Sequence, residues 1–146
     1  MSVSELSTST QNYLKAIWGL KEWSSEPVTA TLIAKQLGLK LSSVSDAVRK
    51  MSKQGLVSHT PYGSVELTEL GRQYALVMVR RHRLLESFLV QALDYTWDEV
   101  HDEAENLEHA VSDMLIERVD KFLNYPTRDP HLSLIHISEP TRPRLI

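Results

Sequence analysis

The chain of 146 residues contains no cysteine. This absence excludes disulfides, thiolate-bound zinc and cysteine nucleophiles, so any metal must be held by nitrogen and oxygen ligands. No apolar run approaches the roughly 18 residues that a membrane-spanning helix needs, and the first residues lack the basic and apolar regions of a signal peptide. We therefore expect a cytoplasmic protein with no membrane partner.

Charge is divided unevenly along the chain. Residues 1–83 carry 11 Lys or Arg against 6 Asp or Glu, whereas residues 84–130 carry 3 against 12. A basic half joined to an acidic half predicts one region that contacts a polyanion and another that collects cations or protein partners.

Hydrophobic periodicity predicts a mainly α fold. The apolar spacing indicates six helices, at about residues 9–23, 29–38, 43–54, 68–93, 96–111 and 112–123. Alternating apolar and polar residues at 56–60 and 64–68, separated by Pro61-Tyr62-Gly63, predict a β-hairpin. Two short helices joined by a tight turn and followed by a hairpin are typical of an N-terminal winged helix-turn-helix, with the hairpin as a small wing and an all-helical domain after it.

The second helix of this predicted helix-turn-helix would enter the major groove of DNA. Its apolar residues face inward, which leaves hydroxyl groups and cations on the outer face, within reach of phosphates and base edges. The residues predicted to contact DNA are Lys40, Ser42, Ser43, Ser45, Arg49, Lys50 and, on the wing, Tyr62. The competing interpretation is that these helices only pack and that the serines only cap them.

Potential metal ligands recur at helical spacing in the acidic half. His82 and Glu86 are spaced i, i+4 on one helix, and the following helix carries more histidines and glutamates on one arc of about 100°. If the two helices pack, imidazole and carboxylate groups converge as a transition-metal set. One expected set is His82, Glu86 and His101; a second is Glu105, Glu108 and His109.

Other interpretations of the same residues stay open at this point. A carboxylate-rich helix is often a solvated face, and paired carboxylates also serve hydrolases. A helical metal-storage protein or carboxylate-bridged metalloenzyme would need the cluster at 82–109 but not the basic helix-turn-helix. A metal-independent DNA-binding or dimerisation module would need only the basic half.

Two segments carry a family resemblance. The strings RHRLLE at residues 81–86 and HDEAENLEHAVSD at residues 101–113 closely resemble the diphtheria toxin repressor (DtxR) family of metal-dependent regulators. They look most like its manganese-responsive, MntR-like branch in actinobacteria. The resemblance extends from about Thr10 to His131 and includes the helix-turn-helix.

The resemblance implies two metal sites. It assigns His82, Glu86 and His101 to an ancillary site, and Glu105, Glu108 and His109 to a primary regulatory site. Asn12, on the first helix, stands where the family contributes a further primary ligand; other manganese sensors have an aspartate there. Glu105 replaces the cysteine of iron-responsive members, and this hard ligand favours Mn(II), with Fe(II), Co(II), Ni(II) and Zn(II) as alternatives.

The resemblance also implies function and organisation. It predicts a homodimeric transcriptional repressor, not an enzyme, that binds a palindromic operator in double-stranded DNA and controls metal-homeostasis genes. Metal would tie the DNA-binding domain to the dimer domain and favour the operator-competent state. The expected domains are a winged helix-turn-helix at 1–74 and a helical metal-binding and dimerisation domain at 75–130. Residues 131–146 depart from the family pattern and are interpreted as a disordered or artefactual tail.

Overall fold

The computed structural model describes residues 2–60, 63–127 and 135. Within these residues the chain forms six α-helices and one two-stranded antiparallel sheet, in agreement with the mainly α fold expected from the sequence. The elements are α1 (Thr8–Glu22), α2 (Ala30–Leu37), α3 (Leu41–Lys53), β1 (Val57–His59), β2 (Val65–Leu67), α4 (Glu69–Leu93), α5 (Trp97–Glu108) and α6 (Asp113–Phe122).

The described residues fall into two compact units, one up to Leu76 and one from Val77 onward. The sequence-based boundary was expected at 74/75. No helix in the described part of the chain is long and apolar enough to cross a membrane.

The helix-turn-helix forms from local signals. The Thr29 hydroxyl accepts a hydrogen bond from the Leu32 N–H at 3.2 Å and so caps the start of α2. Gly38 ends α2 in the left-handed conformation, at φ 67°. The next helix begins two residues earlier than the apolar spacing predicted, because α3 starts at Leu41 and its N-cap, Lys40, makes no side-chain cap bond. The helix therefore starts soon after the Gly38 turn, and Ser42 and Ser43 lie in its first turn.

The predicted wing is present as β1 and β2. Val57 pairs with Leu67 and His59 pairs with Val65 in antiparallel register. The Val65 N–H also donates to the Val28 carbonyl at 2.7 Å, which attaches the hairpin to the segment before α2. The wing is thus anchored to the helix-turn-helix by backbone hydrogen bonds.

The second unit is built around one apolar cluster. Its buried members come from the later part of α4, from α5, from the α5–α6 connection, from α6 and from Ile135. The cluster comprises Leu84, Leu85, Leu89, Val100, Ala104, Val111, Ile116, Val119 and Ile135. Ile135 is 2% exposed and donates its N–H to the Thr127 carbonyl at 3.0 Å, so it belongs to this core although it lies within the segment interpreted as a tail. The other residues of 131–146 lie outside the described residues.

Helix α5 is shorter than its apolar pattern suggested. It ends at Glu108, and His109 is its C-cap, whereas the sequence predicted an end near Val111. The N–H groups of Ala110 and Val111 both donate to the Leu107 carbonyl, which closes the helix with a tight last turn. The Ser112 hydroxyl then accepts from the Leu115 N–H at 3.1 Å and caps α6, which starts close to the predicted residue 112.

Candidate metal centre and nucleic-acid interface

The outer face of α3 carries the side chains that the sequence predicts to contact DNA. Val44 and Val48, on the opposite face, are 0% and 1% exposed. Ser45 is half-buried. The other described residues of the predicted set are exposed: Lys40, Ser42, Ser43, Arg49 and Lys50. Tyr62, the predicted contact on the wing, lies outside the described residues.

One ion pair modifies the charge of this face. Arg49 Nη2 lies 2.8 Å from Asp46 Oδ1, and the two side chains are 69% and 76% exposed. An exposed pair of this kind contributes little to stability. The guanidinium therefore remains available for an incoming phosphate, but Asp46 lowers the positive potential beside it.

Three donor atoms from α4 and α5 form a compact triangle in the second unit. His82 Nε2 lies 3.3 Å from Glu86 Oε2 and 3.2 Å from His101 Nδ1. The third side, from His101 Nδ1 to Glu86 Oε2, measures 3.5 Å. Ligands bound at roughly 2.1 Å with angles of roughly 90–110° lie roughly 3.0–3.5 Å apart, so the triangle has the size of one face of a coordination shell. Two imidazoles and a carboxylate suit Mn, Fe, Co, Ni or Zn.

The three donors differ in exposure. His82 and Glu86 are 8% and 2% exposed, because α4 lies inside the helical unit. The side chain of His101 is 57% exposed. The triangle is therefore buried on the α4 side and open at His101, an arrangement that holds two ligands firmly and leaves a path for an ion from solvent.

Glu108 lies against His82. Its Oε1 is 2.6 Å from His82 Nδ1, and the residue is fully buried. The resemblance had assigned Glu108 to a different site from His82. The two residues are 26 positions apart in the chain, so spacing on one helix could not reveal the contact.

A second group of possible ligands lies on the outer surface of α5. Donor atoms of His101, Asp102 and Glu105 come within 4.8 Å of one another, and His101 Nε2 lies 3.6 Å from Glu105 Oε2. Asp102 was not predicted as a ligand. The expected trio of Glu105, Glu108 and His109 does not form such a group among the described residues. The physical reason is that the Glu108 carboxylate turns towards His82 and the Glu105 carboxylate lies beside His101.

Asn12 lies in α1, within the first unit. Its Oδ1 is buried and has no hydrogen-bond partner among the described residues. A buried carbonyl oxygen without a donor is costly by about 1–3 kcal/mol. An amide oxygen in this state is chemically suited to accept a cation.

Two arginines that precede His82 connect α4 to the segments after it. Arg81 is 1% exposed; its Nη1 donates to the Glu108 carbonyl at 3.3 Å and its Nη2 to Asp113 Oδ1 at 2.9 Å. Arg80 Nη2 donates to the buried Asp120 at 2.8 Å. Sequence reasoning had not given these arginines a role. The signal for their role was two adjacent arginines in the apolar later part of α4, because buried guanidinium groups require carboxylate or carbonyl acceptors.

The remaining carboxylates of α5 are engaged near its start. Glu103 Oε2 accepts a hydrogen bond from the Tyr95 hydroxyl at 2.8 Å, and this bond raises the pKa of Tyr95. Glu99 Oε1 accepts from the Thr96 N–H at 2.9 Å, which holds the pKa of Glu99 below its ordinary value. These two side chains therefore stabilise the α4–α5 connection and the first turn of α5.

Comparison with known proteins supports both halves of this description. Residues 5–65 match the family model described as "Iron dependent repressor, N-terminal DNA binding domain". Residues 68–136 match the model described as "Iron dependent repressor, metal binding and dimerisation domain". The chain belongs to the iron-dependent repressor family. The DtxR-type resemblance noted in the sequence is thereby confirmed.

Individual relatives are similar over most of the chain. The iron-dependent repressor IdeR of Mycobacterium tuberculosis is 38% identical over 128 residues, which cover 88% of this chain and 55% of that protein. An uncharacterized HTH-type transcriptional regulator of Methanocaldococcus jannaschii is 33% identical over 118 residues, which cover 81% of this chain and 94% of that protein. The chain therefore spans about half the length of IdeR.

Solved structures of the family share the fold. A manganese-dependent transcriptional repressor in complex with manganese superposes with a TM-score of 0.81 at 52% identity, covering 92% of this chain and 63% of that one. The manganese regulator SloR gives a TM-score of 0.78 at 42% identity, covering 86% and 58%. ScaR with bound Zn²⁺ gives 0.76 at 36% identity, covering 86% and 58%.

Proposed function

We propose that this protein is a metal-dependent transcriptional repressor that binds operator DNA as a homodimer and responds to Mn(II). The observation that carries the proposal is the triangle of His82, Glu86 and His101 donor atoms, in a chain that also contains a winged helix-turn-helix. The membership of an iron-dependent repressor family supports it and disfavours the storage-protein and metalloenzyme alternatives. A protein with this function would work in the cytoplasm.

Mn(II) is the proposed effector for two reasons. Glu105 offers a hard oxygen ligand, and the triangle contains no sulfur. One solved structure of similar fold, at 52% identity, is in complex with manganese. Fe(II), Co(II), Ni(II) and Zn(II) suit the same donors, and ScaR was solved with Zn²⁺ bound.

The regulatory ligands are proposed from the resemblance. Glu105, Glu108, His109 and Asn12 would form the primary site, while His82, Glu86 and His101 would form the ancillary one. Metal bound at such sites promotes repression only if it binds the operator-competent conformation of the protein more tightly than the incompetent conformation. Bound metal supplies positive charge that holds carboxylates and imidazoles together, and the residues of the chain supply the selectivity.

Dimerisation is proposed for the second unit. Met114 and Phe122 on α6 are each 67% exposed, and Trp97 at the start of α5 is 62% exposed. These side chains are candidates for a dimer contact, because exposed apolar surface that forms a continuous patch marks a protein–protein interface. A dimer would present two copies of α3 to the half-sites of a palindromic operator.

Fluorescence anisotropy with labelled palindromic DNA tests the proposal. We expect binding with Mn(II) and at least tenfold weaker binding with a chelator. His82→Ala and His109→Ala should each reduce the effect of Mn(II), whereas Glu103→Gln, a change on the same helical unit, should leave it intact. Equal affinity with and without metal would support a metal-independent DNA-binding module. Metal uptake without DNA binding would support the storage or enzyme alternative.

A further inference from the structure

The contact between His82 and Glu108 determines which nitrogen of His82 faces the donor triangle. An ionised carboxylate only accepts hydrogen bonds, so the 2.6 Å contact requires a proton on His82 Nδ1. In the neutral imidazole that metal binding requires, the lone pair is then on Nε2. Nε2 is the atom that lies 3.3 Å from Glu86 Oε2 and 3.2 Å from His101 Nδ1.

Glu108 is itself held from two directions by consecutive residues of α4. Its side chain contacts His82, and its backbone carbonyl accepts from Arg81 Nη1 at 3.3 Å. Arg81 is in turn bound to Asp113 at 2.9 Å. Because the carboxylate is fully buried, the bond to the imidazole is little weakened by water. The position of Glu108 therefore depends on α4 and not on solvent.

A weaker version of the same arrangement exists at His101. Its Nδ1 faces the triangle, while its Nε2 lies 3.6 Å from Glu105 Oε2. Both imidazoles thus have one nitrogen towards the other donors and the other nitrogen towards a carboxylate of α5. The shorter and buried contact, at Glu108, has the stronger orienting effect.

We propose that Glu108 is a positioning residue for the His82–Glu86–His101 metal site. It holds His82 in the Nδ1–H tautomer, keeps Nε2 pointed at the metal position and raises the basicity of that nitrogen. In this role Glu108 acts on the metal site through its hydrogen bond with His82 and not as a ligand of that site. Metal binding by His82, Glu86 and His101 would then depend on a fourth residue. The inference rests on the metal-binding part of the proposed function.

The test measures the tautomer and the Mn(II) affinity without DNA. In protein with ¹⁵N-labelled histidine and bound diamagnetic Zn(II), nuclear magnetic resonance should show His82 protonated on Nδ1 and coordinated through Nε2, and Glu108→Ala should convert it to a mixture. A merely structural role for Glu108 would leave the tautomer unchanged.

Mn(II) affinity is measured in a His109→Ala background, so that a ligand of the other proposed site is removed. Glu108→Ala should weaken binding about 10–100-fold, and the isosteric Glu108→Gln, which keeps an acceptor oxygen, should weaken it less. His101→Ala should abolish the same binding and so assign it to the triangle. Glu103→Gln, in which a carboxylate bonded to Tyr95 is removed, is the charge-matched control and should leave affinity unchanged.

An unchanged His82 tautomer in Glu108→Ala, or an Mn(II) affinity of that variant within twofold of the parent, would overturn the inference. If Glu108→Ala does not fold, Glu108→Leu, which fills similar volume and offers no hydrogen-bond acceptor, decides in its place. A chain that shows the Glu108-dependent tautomer and affinity but never binds DNA would contradict the repressor proposal and leave this inference standing.

Discussion

A Cβ atom on Gly71 would lie 1.9 Å from the carbonyl oxygen of Leu56 and 2.9 Å from its carbonyl carbon. The first turn of α4 therefore approaches the backbone just before β1 more closely than any other residue type permits. The Thr68 hydroxyl reinforces this junction, since it donates to the Gly55 carbonyl at 2.7 Å and accepts from the Gly71 N–H at 3.0 Å. The wing and α4 are thus fixed to each other by backbone contact.

Gly71→Ala should destabilise the first unit by about 3 kcal/mol or more, because the clash is with backbone atoms that cannot rotate away. Urea unfolding followed by circular dichroism measures the loss. Gly19→Ala is the control: Gly19 lies within α1 and nothing lies within 4 Å of its added Cβ. That change should stabilise by about 0.5–1 kcal/mol. If Gly71→Ala did not lower the free energy of unfolding, the close approach of Gly71 to the Leu56 carbonyl would be contradicted.

Arg80 forms one ion pair with a buried carboxylate and one with an exposed carboxylate, so the two pairs test how burial changes the contribution of an ion pair to stability. Its Nη2 lies 2.8 Å from Asp120, whose side chain is 0% exposed, and 3.1 Å from Glu117, whose side chain is 47% exposed. Asp120→Asn should cost about 2–4 kcal/mol, because a charge is removed from a buried pair. Glu117→Gln should cost under about 1 kcal/mol, because water screens that pair. Thermal or urea unfolding compares them, and a larger loss for Glu117→Gln would contradict the burial argument.

If the exposed face of α3 contacts DNA as proposed, removing a positive charge from it should weaken operator binding and removing a negative charge should strengthen it. Arg49→Ala should weaken operator binding and reduce the steepness of its salt dependence by about one counterion. Asp46→Asn should strengthen binding, since the carboxylate 2.8 Å from the guanidinium repels phosphate. Anisotropy titrations over a range of salt concentrations measure both. Lys35→Ala, on the exposed surface of α2, is the control; an effect as large as that of Arg49→Ala would argue against specific docking through α3.

The start of α5 should be sensitive to acid. Hydrogen bonds from the Thr96 N–H and hydroxyl hold the pKa of Glu99 below its ordinary value of 4.5. A carboxyl group whose pKa is lowered by folding stabilises the protein above its unfolded-state pKa, and this contribution is lost as the pH falls through the folded-state value. Glu99→Gln should therefore lower the melting temperature at about pH 7, and the difference should diminish as the pH falls below 4.5. A difference that persists unchanged in acid would show that charge is not its origin.

Local patterns were sufficient for most of the secondary structure. The cap at Thr29, the left-handed Gly38 and the alternating residues around 61–63 each act within a few residues, so the helix-turn-helix and the hairpin could be predicted. The family could be predicted as well, because the strings at 81–86 and 101–113 are contiguous. The predicted start of α3 was wrong by two residues, because Ser42 and Ser43 are both residue types that favour a helix N-cap, whereas the helix begins at Leu41.

The amino-acid sequence by itself determined which side chains could bind metal and placed His82 and Glu86 one helical turn apart. It could not determine that Glu108, 26 residues after His82, would bond His82 Nδ1. That choice depends on how α4 and α5 pack and on Arg81, which fixes the end of α5 through the Glu108 carbonyl. Helical periodicity describes neighbours on one element, whereas the orientation of a ligand depends on contacts between elements that only the folded chain brings together.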